Sequence, residues 1–331
     1  MEFYTRIAIP RSSFTYTHEG LTMLLGSCFV ENMGKNLEKN KFSIDLNPFG
    51  ILYNPSSIAN AIRHLIQPSE FTSKDLFLKE GIYHSFLHHS RFSSSSECEC
   101  LERINKKINL SSQHLRTANR MIITFGTAWV YQFKETGQVV SNCHKLPDRL
   151  FTRKILSTQE IIDEWQVLLQ QLWELNPELK ILFTVSPIRH WKDGAHGNQL
   201  SKATLLLAID KLQQTYPERI SYFPSYEIMI DELRDYRFYA DDLLHPSMQA
   251  IAYIWERFSE SMFSSKTILL LKEWEELLKA IQHKPFQPNS EAYKRFLSQT
   301  LLKMEDFQKR YPFFDMKEEI TDIKNKIENK Q

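Results

Sequence analysis

The sequence has 331 residues, of which 42% are hydrophobic and 24% are charged. This composition is typical of a globular protein and argues against the disordered, collagen-like and fibrous repeat classes. With 41 basic and 40 acidic side chains there is no broad basic surface, so nucleic acid is not an expected partner.

The most apolar short run, residues 21–30, is about half as long as a segment that crosses a bilayer. Residues 1–14 contain no charged stretch that leads into an apolar run with a small-residue cleavage site. We therefore expect no signal peptide, no membrane contact and a cytoplasmic location. In that compartment the four cysteines are expected to be free thiols.

Strands and helices alternate along the first 264 residues. Apolar spacing predicts a strand over 21–26, a helix over 29–39, and a helix over 54–66 that Asn54 caps. The later predicted elements are a helix over 101–119, a strand over 121–125, a hairpin of 129–133 with 138–141, a helix over 157–175, a strand over 180–185, a helix over 198–216, a strand over 220–223 and a helix over 247–263. Nearly continuous apolar strands between helices predict an α/β fold with a mainly parallel sheet covered on both faces.

Residues 93–99 are rich in serine and acidic side chains, which predicts a surface loop carrying Cys98 and Cys100 as exposed thiols. Their one-residue spacing is poor for zinc. His84 and His88 lie four residues apart but have no clear carboxylate partner. No metal and no organic cofactor are expected.

The sequence pattern changes after residue 264, where three charged amphipathic helices are predicted over 269–282, 290–311 and 316–330. We expect two regions, an α/β domain over 1–264 and a helical extension over 265–331. The extension is expected to pack either on the core or on a second copy of the chain. In the second case the protein would be a homo-oligomer.

Three of only nine glycines end or interrupt apolar runs, namely Gly26, Gly50 and Gly126. Glycine lets a chain leave a strand at positive φ or bring backbone N–H groups near a ligand, although each could equally be an ordinary turn glycine. Functional groups collect at the carboxyl ends of the strands in open parallel sheets. These glycines therefore mark candidate site loops.

Ser27 and Cys28 follow Gly26, so two potential nucleophiles lie where the first strand turns into a helix. The helix start is expected to lower the pKa of a thiol and to stabilise an oxyanion. Either residue could be the nucleophile, and Cys28 could instead be an inert packing residue.

An acid precedes a histidine by three residues in the loop before the last core helix, as Asp242 and His245. Pro246 disfavours the α conformation for His245 and keeps it in an extended turn. A carboxylate at 242 can accept from Nδ1–H and leave Nε2 as a base for the nucleophile. Alternatively, His245 anchors a turn, and Asp241 or Asp242 supplies a charge near the helix start.

The segment Leu-Gly-Ser-Cys-Phe-Val at 25–30 resembles the motif that names the GSCFA family, with Val30 where the name has alanine. That family is similar to the SGNH (GDSL-like) hydrolases, whose fold has three layers. Their four sequence blocks match in order at 26–29, Gly50, 126–129 and 242–245. Further stretches that resemble the GSCFA family are 89–90, 142–145, 186–190, 193–194, Asn198 and 201–202.

Two positions depart from the SGNH pattern. Cys28 takes the place of the nucleophilic serine, with Ser27 in the place of the aspartate. Ala128 replaces the asparagine that donates to the oxyanion, a loss that typically costs about 2.7 to 4 kcal/mol. Either Asn142 or another group supplies this donor, or the enzyme is slow, or the protein is not an enzyme.

The resemblance implies a hydrolase or acyltransferase acting on an ester or thioester, with a small-molecule or O-acyl carbohydrate substrate. Cys28 or Ser27 would attack, His245 would act as base and Asp242 would orient it. The N–H groups of Cys28 and Gly50 would bind the oxyanion. Residues expected to line the pocket or bind substrate are His89, Asn142, His144, Arg189, His190 and Lys202. A ligand-binding protein without catalysis is the alternative.

Overall fold

The computed structural model describes residues 4–9, 12 and 14–328. The strands are β1 Thr22–Gly26, β2 Ile44–Leu46, β3 Phe77–Lys79, β4 Ile82–His84, β5 Arg120–Phe125, β6 Trp129–Phe133, β7 Val139–Val140, β8 Phe151–Ile155, β9 Lys180–Val185 and β10 Ile220–Phe223. The helices are α1 Cys28–Lys39, α2 Pro55–Ile66, α3 Glu97–Thr117, α4 Thr158–Leu175, α5 Gly194–Thr215, the short α6 Ser225–Glu227, α7 Met248–Met262, α8 Ser265–Ile281, α9 Glu291–Arg310 and α10 Lys317–Ile327.

The main sheet has five parallel strands in the order β10-β9-β5-β1-β2. Side chains of successive residues point to opposite faces of a strand. In β1, Met23 and Leu25 pack in the apolar cluster of α2 to α5, whereas Leu24 packs in that of α1 and α7. The predicted three-layer α/β/α architecture with a mainly parallel sheet is therefore confirmed.

Helix α3 begins four residues before the predicted start. Ser96 caps it by accepting a hydrogen bond from the Glu99 N–H at 3.3 Å. Cys98 is exposed, but Cys100 lies on the same face as Ile104 and is fully buried. The prediction of a surface thiol at Cys100 is wrong because its segment is helical and one face of that helix packs on the core.

A second, antiparallel sheet follows β5, with the strand order β7-β6-β8. The hairpin of β6 and β7 agrees with the sequence prediction, whereas β8 is an addition that pairs Phe151 to Ile155 with β6. Strand β2, the hairpin of β3 with β4 and the short helix α6 were not predicted either. The second sheet extends from the carboxyl end of β5, where the candidate site is found.

A buried carboxylate lies on edge strand β2. Asp45 accepts hydrogen bonds from Lys107 Nζ at 2.6 Å and from His114 Nδ1 at 2.9 Å, both on α3. Burial opposes ionisation of Asp45, but the hydrogen bonds from α3 outweigh it and hold its pKa below the ordinary value. This cluster fastens α3 to the edge of the sheet.

The three C-terminal helices form an apolar cluster of their own around Trp274, Met304 and Phe307. They also contact the α/β region, because Trp274 Nε1 donates to Lys39 O at 3.0 Å and Lys41 pairs with Glu319 at 2.6 Å. Residues 329 and 330 of the predicted last helix lie outside the described residues. Among the described residues, no helix combines the length and apolar character that a membrane crossing requires.

Candidate active site

The turn from β1 into α1 requires glycine at residue 26. Gly26 has φ +141°, and a Cβ there would lie 2.3 Å from the Thr124 carbonyl oxygen on neighbouring β5. Its N–H donates to Asn47 Oδ1 at 2.9 Å, and its carbonyl accepts from the Leu52 N–H at 3.0 Å. This close packing fixes where Ser27 and Cys28 begin the helix.

Ser27 is the N-cap of α1, and its side chain makes no capping hydrogen bond. Its hydroxyl is buried and has no partner among the described residues. Cys28 is the first helical residue and is half-buried. Burial raises the pKa of the Cys28 thiol, outweighing the opposing N–H groups of Cys28 and Phe29. The expectation of a lowered thiol pKa is therefore not met in this structure.

The second chemical group is the Asp242–His245 pair in the loop before α7. Asp242 Oδ2 accepts from His245 Nδ1 at 2.5 Å, and Oδ1 accepts from the N–H groups of Leu244 and His245 at 2.9 Å each. The two backbone N–H groups, followed by the imidazole, lower the pKa of Asp242 to about 2. With Nδ1 engaged, Nε2 is the ring nitrogen left for proton transfer.

A cavity of about 550 Å³ opens at the carboxyl ends of β1, β5 and β9. Cys28 and His245, which are 217 residues apart in sequence, both line it. The other predicted site residues that line it are Ser27, His89, Asn142, Arg189 and His190. Asp242 joins this group through its bond to His245.

Gly50 has a structural task instead of the expected role at the oxyanion. Its N–H donates to Asn47 O at 2.7 Å, so it is already engaged in a turn. Gly50 has φ +82°, and a Cβ there would lie 2.2 Å from His89 Cβ. The residue thus lets His89 pack closely at the cavity edge, and this geometry does not support it as an oxyanion donor.

Two of the expected substrate-binding residues are buried away from the solvent. His144 Nε2 bonds to Ser85 O at 2.9 Å, and burial lowers the pKa of His144 to about 4. Lys202 is only 1% exposed. Neither residue lines the cavity among the described residues, so direct contact with substrate is not supported for either.

Helix α5 presents a buried polar face made of Asn198, Ser201 and Lys202, residues that share one side of a helix. Asn198 Oδ1 accepts from the His190 N–H at 3.0 Å. Ser201 Oγ accepts from the Ala128 N–H at 2.8 Å. Because that bond occupies the Ala128 N–H, neither the side chain nor the N–H at 128 is available to an oxyanion.

Asn142 provides an amide at the cavity surface. Its Oδ1 accepts from the His144 N–H at 2.8 Å, which fixes the orientation of the amide. The Nδ2 group remains as its hydrogen-bond donor. Among the described residues, Asn142 therefore has a donor free to replace the asparagine that is missing at Ala128.

The second sheet forms one side of the cavity, and the sequence analysis did not predict this part of the site. The Arg153 guanidinium lies 4.0 Å from the centre of the Trp129 ring and binds both carboxylate oxygens of Asp193 at 2.5 Å. Lys192 Nζ donates to the Tyr131 hydroxyl at 2.7 Å. Strand β8, which carries Arg153, was not predicted, so no sequence signal linked this residue to the site.

Two further residues border the cavity near His245. Arg189 donates to Leu243 O in the His245 loop and stacks on Tyr239, with 4.7 Å between the guanidinium carbon and the ring centre. His190 is mostly buried, and burial lowers its pKa to about 4. Its Nε2 has no hydrogen-bond partner among the described residues.

Within residues 4–9, 12 and 14–328, no three His, Cys, Asp or Glu side chains are grouped so that they could hold a metal ion. His84 Nδ1 bonds to Ser93 Oγ at 2.7 Å, and His88 Nδ1 bonds to Ser85 Oγ at 3.0 Å. These two histidines therefore have separate hydrogen-bond partners.

Residues 22–258 match the model of the GSCFA family. The chain belongs to the GSCFA family. Residues 274–329 match a second model, the C-terminal domain of GSCFA domain proteins. A search of curated proteins found no match to this GSCFA chain.

Several solved structures resemble this GSCFA protein distantly. A candidate platelet activating factor from Streptococcus pneumonia is 9% identical, with 74% of this chain and 84% of that chain covered and a TM-score of 0.38. A family 3 carbohydrate esterase from Clostridium thermocellum is 12% identical, with 77% and 98% covered and a TM-score of 0.33. One from Talaromyces cellulolyticus is 11% identical, with 77% and 99% covered and a TM-score of 0.34. Likeness at this level identifies neither substrate nor reaction.

Proposed function

We propose that this GSCFA protein is a hydrolase or acyltransferase that acts on an ester or thioester through an acyl-enzyme on Cys28. One observation carries the proposal: Cys28 at the start of α1 and His245, oriented by Asp242, line the same cavity. A nucleophile, a base and a group that orients the base are the parts that covalent acyl transfer needs. The substrate class is a small acyl compound, with O-acyl carbohydrates included.

In the first step His245 Nε2 takes the thiol proton while Cys28 Sγ attacks the acyl carbonyl carbon. The tetrahedral intermediate then collapses, and the bond from its carbon to the leaving group breaks, C–O for an ester or C–S for a thioester. The protonated His245 gives its proton to the departing alkoxide or thiolate and is neutral again. Water or an alcohol next attacks the acyl thioester and gives its proton to His245 Nε2. The C–S bond to Cys28 breaks, and the thiolate regains the proton from His245.

Cys28 is the better candidate nucleophile of the two adjacent residues. The Cys28 side chain is half-buried, whereas the hydroxyl of Ser27 is buried and has no hydrogen-bond partner in the described part of the chain. A thiol also needs less help from a base than a hydroxyl at neutral pH. Ser27 therefore serves the turn as the N-cap of α1.

The developing oxyanion needs preorganised donors. The first N–H groups of a helix have no partner within it, so the Cys28 N–H at the start of α1 is one donor. The Asn142 side-chain amide, which lines the cavity, is the second. Arg189 and His89 border the same cavity and are proposed to contact the rest of the substrate.

The test is an acylation experiment on the full chain with p-nitrophenyl acetate, read by intact mass and peptide mapping. The wild type is compared with Cys28→Ala, Ser27→Ala and His245→Ala. Cys143→Ala is the matched control, since Cys143 lines the same cavity and burial raises its pKa to about 11. We expect one acetyl group on Cys28, lost in Cys28→Ala, retained in Cys143→Ala and formed much more slowly in His245→Ala.

A ligand-binding protein without catalysis is the second candidate, and one observation favours it. Burial raises the pKa of Cys28, so most of the thiol is protonated at neutral pH unless another group assists. No acetyl group on any of the four variants or the wild type would favour this candidate. An acetyl group on Ser27 would move the nucleophile by one residue.

A further inference from the structure

We infer that Lys202, buried beneath the cavity, is a positioning residue whose positive charge stabilises the negative charge that forms at Cys28. The inference rests on the proposed function, because it assigns an electrostatic partner to the proposed nucleophile. It concerns a residue that the sequence placed among the substrate ligands and that the structure buries away from them.

Two hydrogen bonds fix the position of the Lys202 ammonium group. Nζ donates to Gly126 O and to Ser186 O at 2.7 Å each. These carbonyls belong to the residues that directly follow β5 and β9, so Lys202 joins the two central strands at their carboxyl ends. Ser186 itself lines the cavity with Cys28. An ammonium has three N–H donors, and these two carbonyls account for two of them.

Among the described residues, no carboxylate forms an ion pair with Lys202. A buried charge without an opposite charge is costly, and such groups either lose their charge or gain an anion nearby. Cys28 is the group whose charge acts on Lys202: burial lowers the pKa of Lys202, a thiolate at Cys28 opposes that lowering, and with both effects the pKa is about 7. The reverse effect, in which Lys202 favours the thiolate, follows from the same interaction.

The other ionisable groups around the two residues do not replace this partnership. Glu31 is the acid nearest in sequence to Cys28, but it disfavours the thiolate and is paired with Arg91 at 3.2 Å. His190 faces Lys202 and is neutral at pH 7, because its pKa is about 4. The Tyr226 ring centre lies 5.3 Å from Lys202 Nζ and offers the ammonium a π face.

Two features of the site thereby find one explanation. Burial raises the pKa of the Cys28 thiol, and Lys202 is buried without an acidic partner among the described residues. When Cys28 gives up its proton, or when the attacked carbonyl becomes an oxyanion, Lys202 gains the counter-charge that it otherwise lacks. A buried charge with an opposite charge beside it costs less than the same charge buried alone.

The experiment follows the rate of Cys28 alkylation by iodoacetamide from pH 6 to 10 in the full chain, by peptide mass spectrometry. Lys202→Met removes the charge, and Lys202→Gln removes it while keeping an NH₂ group for the two carbonyls. Lys211→Gln is the control, since Lys211 is an exposed lysine on the same helix. Far-UV circular dichroism and Tm identify which variants fold.

We expect the apparent pKa of Cys28 to rise by about one unit in Lys202→Gln, so that alkylation at pH 7.5 slows about tenfold, with no change in Lys211→Gln. An unchanged midpoint in a folded Lys202 variant overturns the inference. Should neither variant fold, the wild type decides: Cys28 should prefer anionic iodoacetate over iodoacetamide about tenfold more than exposed Cys98 does, and an equal preference overturns the inference. Alkylation needs no acyl substrate, so this result is separate from the acylation test.

Discussion

Ser201→Ala tests whether the polar face of α5 holds the chain after β5. Ser201 is 2% exposed, and its Oγ accepts from the Ala128 N–H at 2.8 Å and lies 3.0 Å from Thr127 Oγ1. The substitution leaves the N–H of a fully buried residue without a partner. An unsatisfied buried donor costs about 1 to 3 kcal/mol. We therefore expect the free energy of unfolding to fall by about 2 kcal/mol.

The assay is urea unfolding followed by far-UV circular dichroism, with the denaturant slope compared between variants. Thr204→Ala is the matched control, because Thr204 is on the same helix and its hydroxyl donates within that helix to Leu200 O. The control should change stability by no more than about 0.5 kcal/mol. The Ala128 amide should also exchange its hydrogen faster in Ser201→Ala. Two variants of equal stability, with equal exchange at Ala128, would refute the reasoning.

Three other predictions concern residues that support the fold and the position of the site. The pKa of Asp45 is held below 3.8, so the stability that its carboxylate provides is present above that pH and is lost as the pH falls further. In Asp45→Asn the urea midpoint should therefore depend less on pH below 3.8 than in the wild type. Parallel plots of urea midpoint against pH for the two proteins would contradict this. Gly26→Ala should fail to give folded protein, because its Cβ would lie 2.3 Å from Thr124 O; soluble yield and circular dichroism test this, and a wild-type Tm would show it to be wrong. In the native protein Cys98 should react with a thiol reagent while Cys100 reacts only after unfolding, and equal native rates would argue against the helix assigned there.

The sheet could be predicted where a strand is a short, continuous apolar run. Strands β5 and β9 are of this kind, and both lie in the middle of the sheet, buried on both faces. Strand β2 escapes this signal because it has only three residues with Asp45 at its centre. Strand β8 escapes it because β8 is an edge strand in which Phe151 alone is buried, and its three middle residues are the polar Thr152, Arg153 and Lys154.

The site residues also differ in how well the local sequence predicts their surroundings. Cys28, Asp242 and His245 stand next to a glycine turn, a proline or a helix start, so local sequence predicts their surroundings. Gly50 and Lys202 depend on contacts made by distant parts of the chain. No local pattern shows that Gly50 packs against His89, or that Lys202 points inward to two carbonyls. The sequence signal for the buried polar face of α5 was the spacing of polar residues at 198, 201 and 202, which places them on one side of a helix.

The two halves of the proposed catalytic pair are held by different means. Cys28 follows a strand of the central sheet, and the carbonyls of Gly126 and of the cavity-lining Ser186 are tied to α5 by a buried lysine. His245 and Asp242 are each about half exposed, at 49% and 47%. Their loop is fixed by its own hydrogen bonds and by Arg189, which donates to Leu243 O.

Segments with few buried contacts open more readily than core strands, so the distance from His245 to Cys28 depends chiefly on this loop. Arg189 thus contributes to the site in two ways, since its side chain borders the cavity and also holds the loop that carries His245. In the proposed function, a substrate group that draws Arg189 away from Leu243 O would loosen the loop, whereas one bound by the remaining donors of Arg189 would leave this hydrogen bond intact. The guanidinium has five N–H donors and can hold both partners at once, which an ammonium with three donors on a flexible stem does less well.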